Sequence, residues 1–350
     1  MISIGLFREN IGKIQDELSR KVQHQYEEQP YPSWVSAGIM VSGVSIAEHC
    51  RYANLKLKSD IIKSEESPQI LVAGCGTGQH SVSVSAYFKN SQVTAIDLSL
   101  PSLAYAKQKS IEYGRDNITY YQGDLLEVGN LNKTFDIIEC AGVLHHMKRP
   151  KEGWQTLTKC LKTGGLMKIA LYSEHSRAGI TKIRKEFPKL TEGLSKKEIL
   201  EARDLIIQSK ESHHRSILYS NDFYGVNSLR DLLFNIQEHQ FNIPLISEYL
   251  SDLGLWFCGF EDPIIMRKFK EEFRGVDDEY NLEKWHELKS KTAALSLRER
   301  AILLIVAIVL VMFIWAQFYY LSFEKELKRI NSEITQLQQL EYSQQDELQS

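Results

Sequence analysis

The sequence has no C-x-x-C pair. Its five cysteines, Cys50, Cys75, Cys140, Cys160 and Cys258, are scattered and odd in number, which argues against a disulfide framework or a cysteine-held zinc and points to a reduced compartment. It has no excess of basic charge. The 42 Lys+Arg against 45 Asp+Glu leave a net charge of −3, and no Lys/Arg stripe offsets that balance, so no nucleic-acid partner is expected. The opening MISIGLFREN lacks the apolar core of a secretory signal. No period of about 34 residues runs through the chain, which excludes a tetratricopeptide array. What is there has the make-up of a folded globular protein, 43% hydrophobic and 25% charged over 350 residues. At about 150 residues per domain, that length allows one sizeable core and an accessory part.

Charge is missing altogether from one stretch, Ala301 to Leu321. At about 1.5 Å per residue a helix of that length spans a hydrocarbon core of roughly 30 Å, so a transmembrane helix is expected over 301–321. Arg298 and Arg300 flank one end, Glu324 and Lys325 the other, and Trp315, Tyr319 and Tyr320 sit where an interfacial belt belongs. The Lys/Arg bias before the span predicts an inner-membrane protein, single-pass, with residues 1–300 in the cytoplasm. Beyond it, Phe323, Leu327, Ile330, Ile334 and Leu337 repeat at spacings of four and three, which predicts a short seam through which 323–340 meets a coiled-coil partner.

Glycine is concentrated where the argument turns. ILVAGCGTGQ, Ile70 to Gln79, is an apolar strand-like run that breaks into Gly74, Gly76 and Gly78. Such a turn suits positive φ or close approach to a ligand, and a helix starting near Gln79 would aim its N–H groups at an anion or nucleotide. A dinucleotide fingerprint wants glycine or alanine in the third place, where Gln79 stands, which disfavours a nicotinamide-dependent oxidoreductase.

From here strand and helix alternate as a doubly wound sheet requires. A second strand, Gln92 to Ile96, ends at Asp97, about 20 residues past the turn, where a carboxylate can hold ribose hydroxyls. Ile118 to Gln122 is a third strand leading to Gly123, Asp124 and Leu125. Asp124 can accept from an adenine amino group while Leu125 offers its N–H, although an aspartate at a strand end is also a common helix cap. Phe135 to Cys140 is a fourth strand running into Gly142, His145 and His146, and Leu166 to Tyr172 a fifth. Leu255 to Phe260 reads as a late strand. Residues 1–28 carry helical spacing, Ser195 to Glu198 is a capping-box pattern opening a helix, and Pro30 and Pro32 force an extended path that presents Tyr26, Tyr31 and Trp34.

VAGCGTG, AIDLS, GDLLE, FDIIECAGVLHHM and LKTGGLMKIAL, in that order, resemble the class I S-adenosylmethionine (SAM)-dependent methyltransferases. QYEEQPYPSW and the stretch from Phe223 to Glu261 are similar to a bacterial subfamily of these enzymes often joined to tetratricopeptide repeats. The resemblance implies a Rossmann-like class I methyltransferase sheet, SAM as cofactor, and cofactor contacts from Gly74, Cys75, Gly76, Gly78, Asp97, Leu98, Asp124, Leu125 and Gly142. The family's first motif carries an acid two residues before its first glycine, where this chain has Val72. Contacts to the methionine end must then come from backbone or from elsewhere. The tail from Leu295 resembles the membrane anchors of type II secretion and mannose-sensitive haemagglutinin pilus assembly proteins.

The expected fold is therefore α/β, a doubly wound sheet with a helical N-terminal segment and a helical insertion, plus one transmembrane helix and a short coiled coil. The expected divisions are a lid segment over 1–65, a SAM-binding core over 66–175, and the insertion with the rest of the catalytic domain over 176–268. A stalk over 269–300, the span 301–321 and a tail over 322–350 complete the chain. Methyl transfer is mainly a matter of alignment, and a hydroxyl acceptor also needs a base. His145 and His146 are the candidates. Tyr31, Trp34 and Tyr224 are candidates for the substrate wall, and no metal ligands are expected. The function expected is methyl transfer to a small-molecule or cell-envelope acceptor. The alternative is a catalytically silent scaffold of a membrane assembly.

Overall fold

The computed structural model describes residues 10–294 save 29, 33, 40–42, 188–194 and 276. The chain divides into two compact units, 1–286 and 287–350. The first is built on a five-stranded sheet: β1 (Gln69–Ala73), β2 (Gln92–Asp97), β3 (Ile118–Gln122), β4 (Phe135–Ala141) and β5 (Leu161–Ala170). Every pairing is parallel, in the order β3-β2-β1-β4-β5. β1 is apolar from Ile70 to Ala73, β4 sets Asp136 and Glu139 among apolar residues, and both are buried along nearly their whole length, as strands covered on both faces must be. β1 neighbours both β2 and β4, so the strand order reverses at its carboxyl end and a crevice opens there.

Helices α1 (Glu17–Glu28) and α2 (Ile46–Tyr52) precede the sheet, and α3 (Gln79–Tyr87), α4 (Leu100–Glu112) and α5 (Pro150–Cys160) cross between its strands. Ser99 caps α4 by accepting from the Ser102 N–H at 3.3 Å, and Pro101 fits its first turn, where no intrahelical N–H is required. One apolar cluster around Val72, Leu103 and Ile137 fills one face of the sheet, and another around Leu71, Ile138 and Leu157 fills the other.

A separate cluster, Ile183, Ile199, Phe223 and Leu233 among its members, is the core of the helical insertion. That insertion comprises α6 (Ala178–Glu186), α7 (Lys196–Gln208), α8 (Ser212–Ile217) and α9 (Val226–Phe234). α7 opens on the expected capping box, with Ser195 and Glu198 exchanging backbone hydrogen bonds. α10 (Ile243–Asp252), α11 (Pro263–Glu272) and α12 (Leu282–Ala294) follow.

Several expectations are corrected. Leu255 to Phe260 is irregular rather than a strand: Gly254 and Gly259 have φ of +67° and +131°, and Phe260 turns to pack on Trp285 with ring centroids 4.7 Å apart. β5 starts at Leu161, five residues early, because a register shift against β4 absorbs the Gly164-Gly165 turn. Of the stalk expected over 269–300, the described residues hold the end of α11 and all of α12, with Phe269 fully buried and stacked on Trp285 at 4.1 Å. The transmembrane helix is also corrected: among the described residues no helix is long and apolar enough to cross a membrane. The stretch 301–321 and the seam 323–340 lie outside the described residues. The inner-membrane placement rested on that span and is withdrawn with it.

Candidate active site

A cavity of about 450 Å³ opens at the carboxyl ends of β1, β2 and β4. One end is made by Gly74, Cys75 and Gly76 of the glycine turn, while Gly78 lies outside the cavity wall. Gly74, Gly76 and Gly78 all have positive φ, and a Cβ on each would come within 2.1 Å of Val143 Cγ2, 2.5 Å of the Tyr31 carbonyl oxygen and 2.4 Å of Ala106 Cβ, respectively. The turn is therefore both bent and packed from outside. The Gly74 and Cys75 N–H groups donate to the Ile96 carbonyl at 2.8 and 2.9 Å, and the Gly76 N–H donates to Asp97 Oδ2 at 2.7 Å. Asp97 Oδ1 accepts from the Ser99 N–H at 2.9 Å. The Leu98 N–H adds a third backbone contact to this carboxylate. Burial pushes the Asp97 carboxyl above its usual range despite the backbone N–H groups that favour its charge.

Asp124 and Leu125 line the same cavity. Asp124 also caps the short turn after β3, accepting the Leu126 N–H on Oδ1 at 3.0 Å, so the cap and the cavity wall are one residue. Leu98, Cys75 and Gly142 complete this end, and burial raises the Cys75 thiol well above its ordinary range. Leu18, Val22 and Tyr26 of α1 close over it.

The other end is assembled from distant segments. Tyr26 donates to Asp231 Oδ1 at 2.5 Å, and Asn235 Nδ2 donates to the same oxygen at 3.1 Å. His146 Nδ1 lies 2.7 Å from the Gln237 carbonyl and must donate to it, which leaves the lone pair on Nε2, 3.4 Å from Asn235 Nδ2. Burial lowers the pKa of His146, so the ring is held neutral. Tyr172 and Tyr31 line this end, and burial, reinforced by the Asp231 charge, raises both phenols. Arg177, paired with Glu238, lies 4.0 Å over the Tyr172 ring.

The structure separates other candidates from this group. His145 is outside the cavity wall, 1% exposed and stacked on Tyr172 at 3.7 Å, with neither ring nitrogen hydrogen-bonded. Desolvation pushes its pKa down to about 2. Trp34 is buried behind the glycine turn, donating from Nε1 to Thr77 Oγ1 at 3.1 Å, while Thr77 Oγ1 donates to the Pro32 carbonyl at 2.5 Å. The aromatic-proline stretch thus straps the turn. Tyr224 is 59% exposed on the insertion and does not reach the cavity.

Tyr26, Asp231, Tyr172 and His80 line the cavity without having been singled out as a site by the sequence. Only Tyr26 carried a signal, its place in QYEEQPYPSW. Val72 pairs with Glu139 of β4, and buried Glu139 meets His80 Nε2 at 2.7 Å. The His80 contact, together with nearby Lys168 and His49, holds the Glu139 carboxyl below its usual range against burial.

Residues 71–167 match the family model described as a methyltransferase domain. The chain is 30% identical over 204 residues to an uncharacterized protein of Synechococcus, covering 56% of this chain and 49% of that one. It is 32% identical over 139 residues to a ubiquinone biosynthesis O-methyltransferase of Glaesserella parasuis, covering 37% and 58%. A solved structure of PKMT2 from Rickettsia typhi in complex with AdoHcy superposes with a TM-score of 0.52 at 16% identity, covering 75% of this chain and 53% of that one. The chain spans about half the length of the Synechococcus relative and of that structure.

Proposed function

We propose, from a core that is a SAM-dependent methyltransferase domain, that this chain transfers a methyl group from SAM to a small molecule with an apolar body and one polar acceptor atom. The observation that carries this reading is the single cavity with two unlike ends. The glycine cradle and Asp97 suit a nucleoside, and Tyr26, Tyr31, His146 and Asp231 suit an acceptor. A Cβ at any of the three would collide with Val143, Tyr31 or Ala106, so glycine there fixes the shape of the turn beside the cavity. When bound, SAM supplies an electrophilic methyl on a sulfonium.

In this reading Asp97 accepts from ribose hydroxyls, and Asp124 and Leu125 hold the base. Leu98, Cys75 and Gly142 shape the walls. His146, neutral with its lone pair on Nε2, is the proton acceptor for a hydroxyl substrate. Asp231, through Tyr26 and Asn235, fixes the surroundings of that nitrogen. α1 excludes water from the donor end. The segment divisions at 65, 175 and 268 are kept as a proposal: a lid, a SAM-binding core, and an insertion that brings Asp231 to the acceptor end. The silent-scaffold alternative rests on Val72 and on the tail that resembles secretion anchors, which lies outside the described residues.

The test is calorimetry of the full chain with SAM, followed by incubation of small-molecule extracts with methyl-labelled SAM. Saturable binding and label in a low-molecular-weight fraction are expected. A folded chain that does not bind SAM would overturn the reading.

A further inference from the structure

The sequence suggests no metal ligands, yet the fold brings three together away from the cavity. Glu186 is the last residue of α6, and His213 and His214 lie in the first turn of α8. His213 Nε2 is 2.5 Å from Glu186 Oε1, and His214 Nε2 is 2.8 Å from Oε2. The three ligand atoms lie within 4.8 Å of one another. Neither contact is an ordinary surface pair, because the side chains of His213 and His214 are only 17% and 8% exposed.

The geometry at His214 is the telling part. Its Nε2 is close to the carboxylate, yet neither ring nitrogen of this buried imidazole makes a directed hydrogen bond. A buried polar atom without a partner calls for an explanation, and an unrecorded ion is one. Two imidazoles and one carboxylate converging from different elements are a donor set for zinc or a similar divalent transition metal. Glu186 itself is 42% exposed, so an ion and a completing water can enter from solvent.

We infer that Glu186, His213 and His214 bind one divalent transition-metal ion of the zinc type, which ties the end of α6 to α8 within the insertion. The site contributes no group to the methyl-transfer cavity and stands independently of that reading. An ion there replaces the two close Glu–His contacts with metal bonds to both imidazoles and the carboxylate. It also gives one of the two unpartnered ring nitrogens of His214 a partner.

The test uses the full chain after dialysis against a chelator, titrated with zinc chloride and, in parallel, with cobalt(II) chloride. Expected are one zinc per chain by calorimetry, a higher melting temperature, and the visible absorption of cobalt held by nitrogen and oxygen ligands. His213→Ala and Glu186→Gln should each weaken zinc binding by at least about tenfold. SAM binding by both variants should be unchanged. His214→Ala removes a buried ring and can disturb packing, so the two more exposed positions carry the decision. Absence of saturable zinc binding to the wild-type chain, or binding unaltered by both substitutions, would overturn the assignment.

Discussion

The two ends of the cavity are built by different means. The donor end is held by backbone: the glycine turn donates N–H groups to Ile96 and Asp97, residues that end the neighbouring strand. The acceptor end is held by side chains from far apart in sequence, with Tyr26 meeting Asp231 across 205 positions. A backbone-held site tolerates little change in residue type but depends on only one local motif. A side-chain network is sensitive to the removal of any one member, because partners left behind are buried and unsatisfied. The two ends should therefore fail in different ways.

The largest effect is expected at the turn. Gly76→Ala places a Cβ 2.5 Å from the Tyr31 carbonyl at a φ of +52°. A non-glycine residue there costs of order 1–3 kcal/mol in strain alone, and the strap at Tyr31 to Trp34 must move as well. Calorimetry should find SAM binding lost, with a lower melting temperature. Retained binding would show that the turn is less rigid than its packing implies.

At the acceptor end Asp231→Ala should lower turnover by about 100-fold, the scale of a lost general-base arrangement, while SAM affinity stays within about threefold. Tyr26→Phe should be milder, and the double variant should be far from additive because both substitutions break the same hydrogen bond. Steady-state rates on a labelled acceptor, with SAM affinity measured separately, check this. An equal loss of SAM affinity in Asp231→Ala would erase the division between the ends. Smaller again, Asp97→Asn should weaken SAM by about tenfold, a loss of about 1.4 kcal/mol, the size of one net hydrogen bond.

The same division governs what could be read from the sequence. β1, β3 and the start of α3 are written in local patterns: an apolar run, a glycine break, a helix start. Asp97 and Asp124 follow because strand ends in this topology face the crevice. Asp231 and Tyr172 carry no local signal, since their significance is who they meet after folding. Trp34 was read as a wall because its aromatic ring suggested one, but its indole N–H had a nearer use on Thr77. His145 and His146 are adjacent in sequence, yet the turn after β4 aims one at the cavity and the other behind Tyr172. Val72 lies beside Glu139 on the next strand, a pairing that single-strand reading does not reach, and that carboxylate, itself outside the cavity wall, meets His80. The late strand at Leu255 failed because Gly254 and Gly259 bend the chain where an extended run requires regular φ.

The smallest effect separates the two histidines by pH. Burial holds His145 neutral down to about 2, against an ordinary value of 6.5. A histidine whose folded pKa is depressed binds fewer protons than the unfolded chain between those limits, so its contribution to stability is complete above about pH 6.5 and declines as pH falls. The decline approaches about 1.4 kcal/mol per pH unit once the unfolded imidazole is protonated. His146 has the same sign, its burial opposed in part by the Asp231 charge and the Gln237 carbonyl. His145→Phe keeps an aromatic ring against Tyr172 and removes one titration. Urea unfolding from pH 7 to pH 5 should then show a shallower loss of stability, by up to one proton's worth of slope, with little change in turnover at pH 7. If turnover collapses at pH 7 while the slope is unchanged, His145 belongs to the acceptor end, and the boundary drawn between the two rings is in the wrong place.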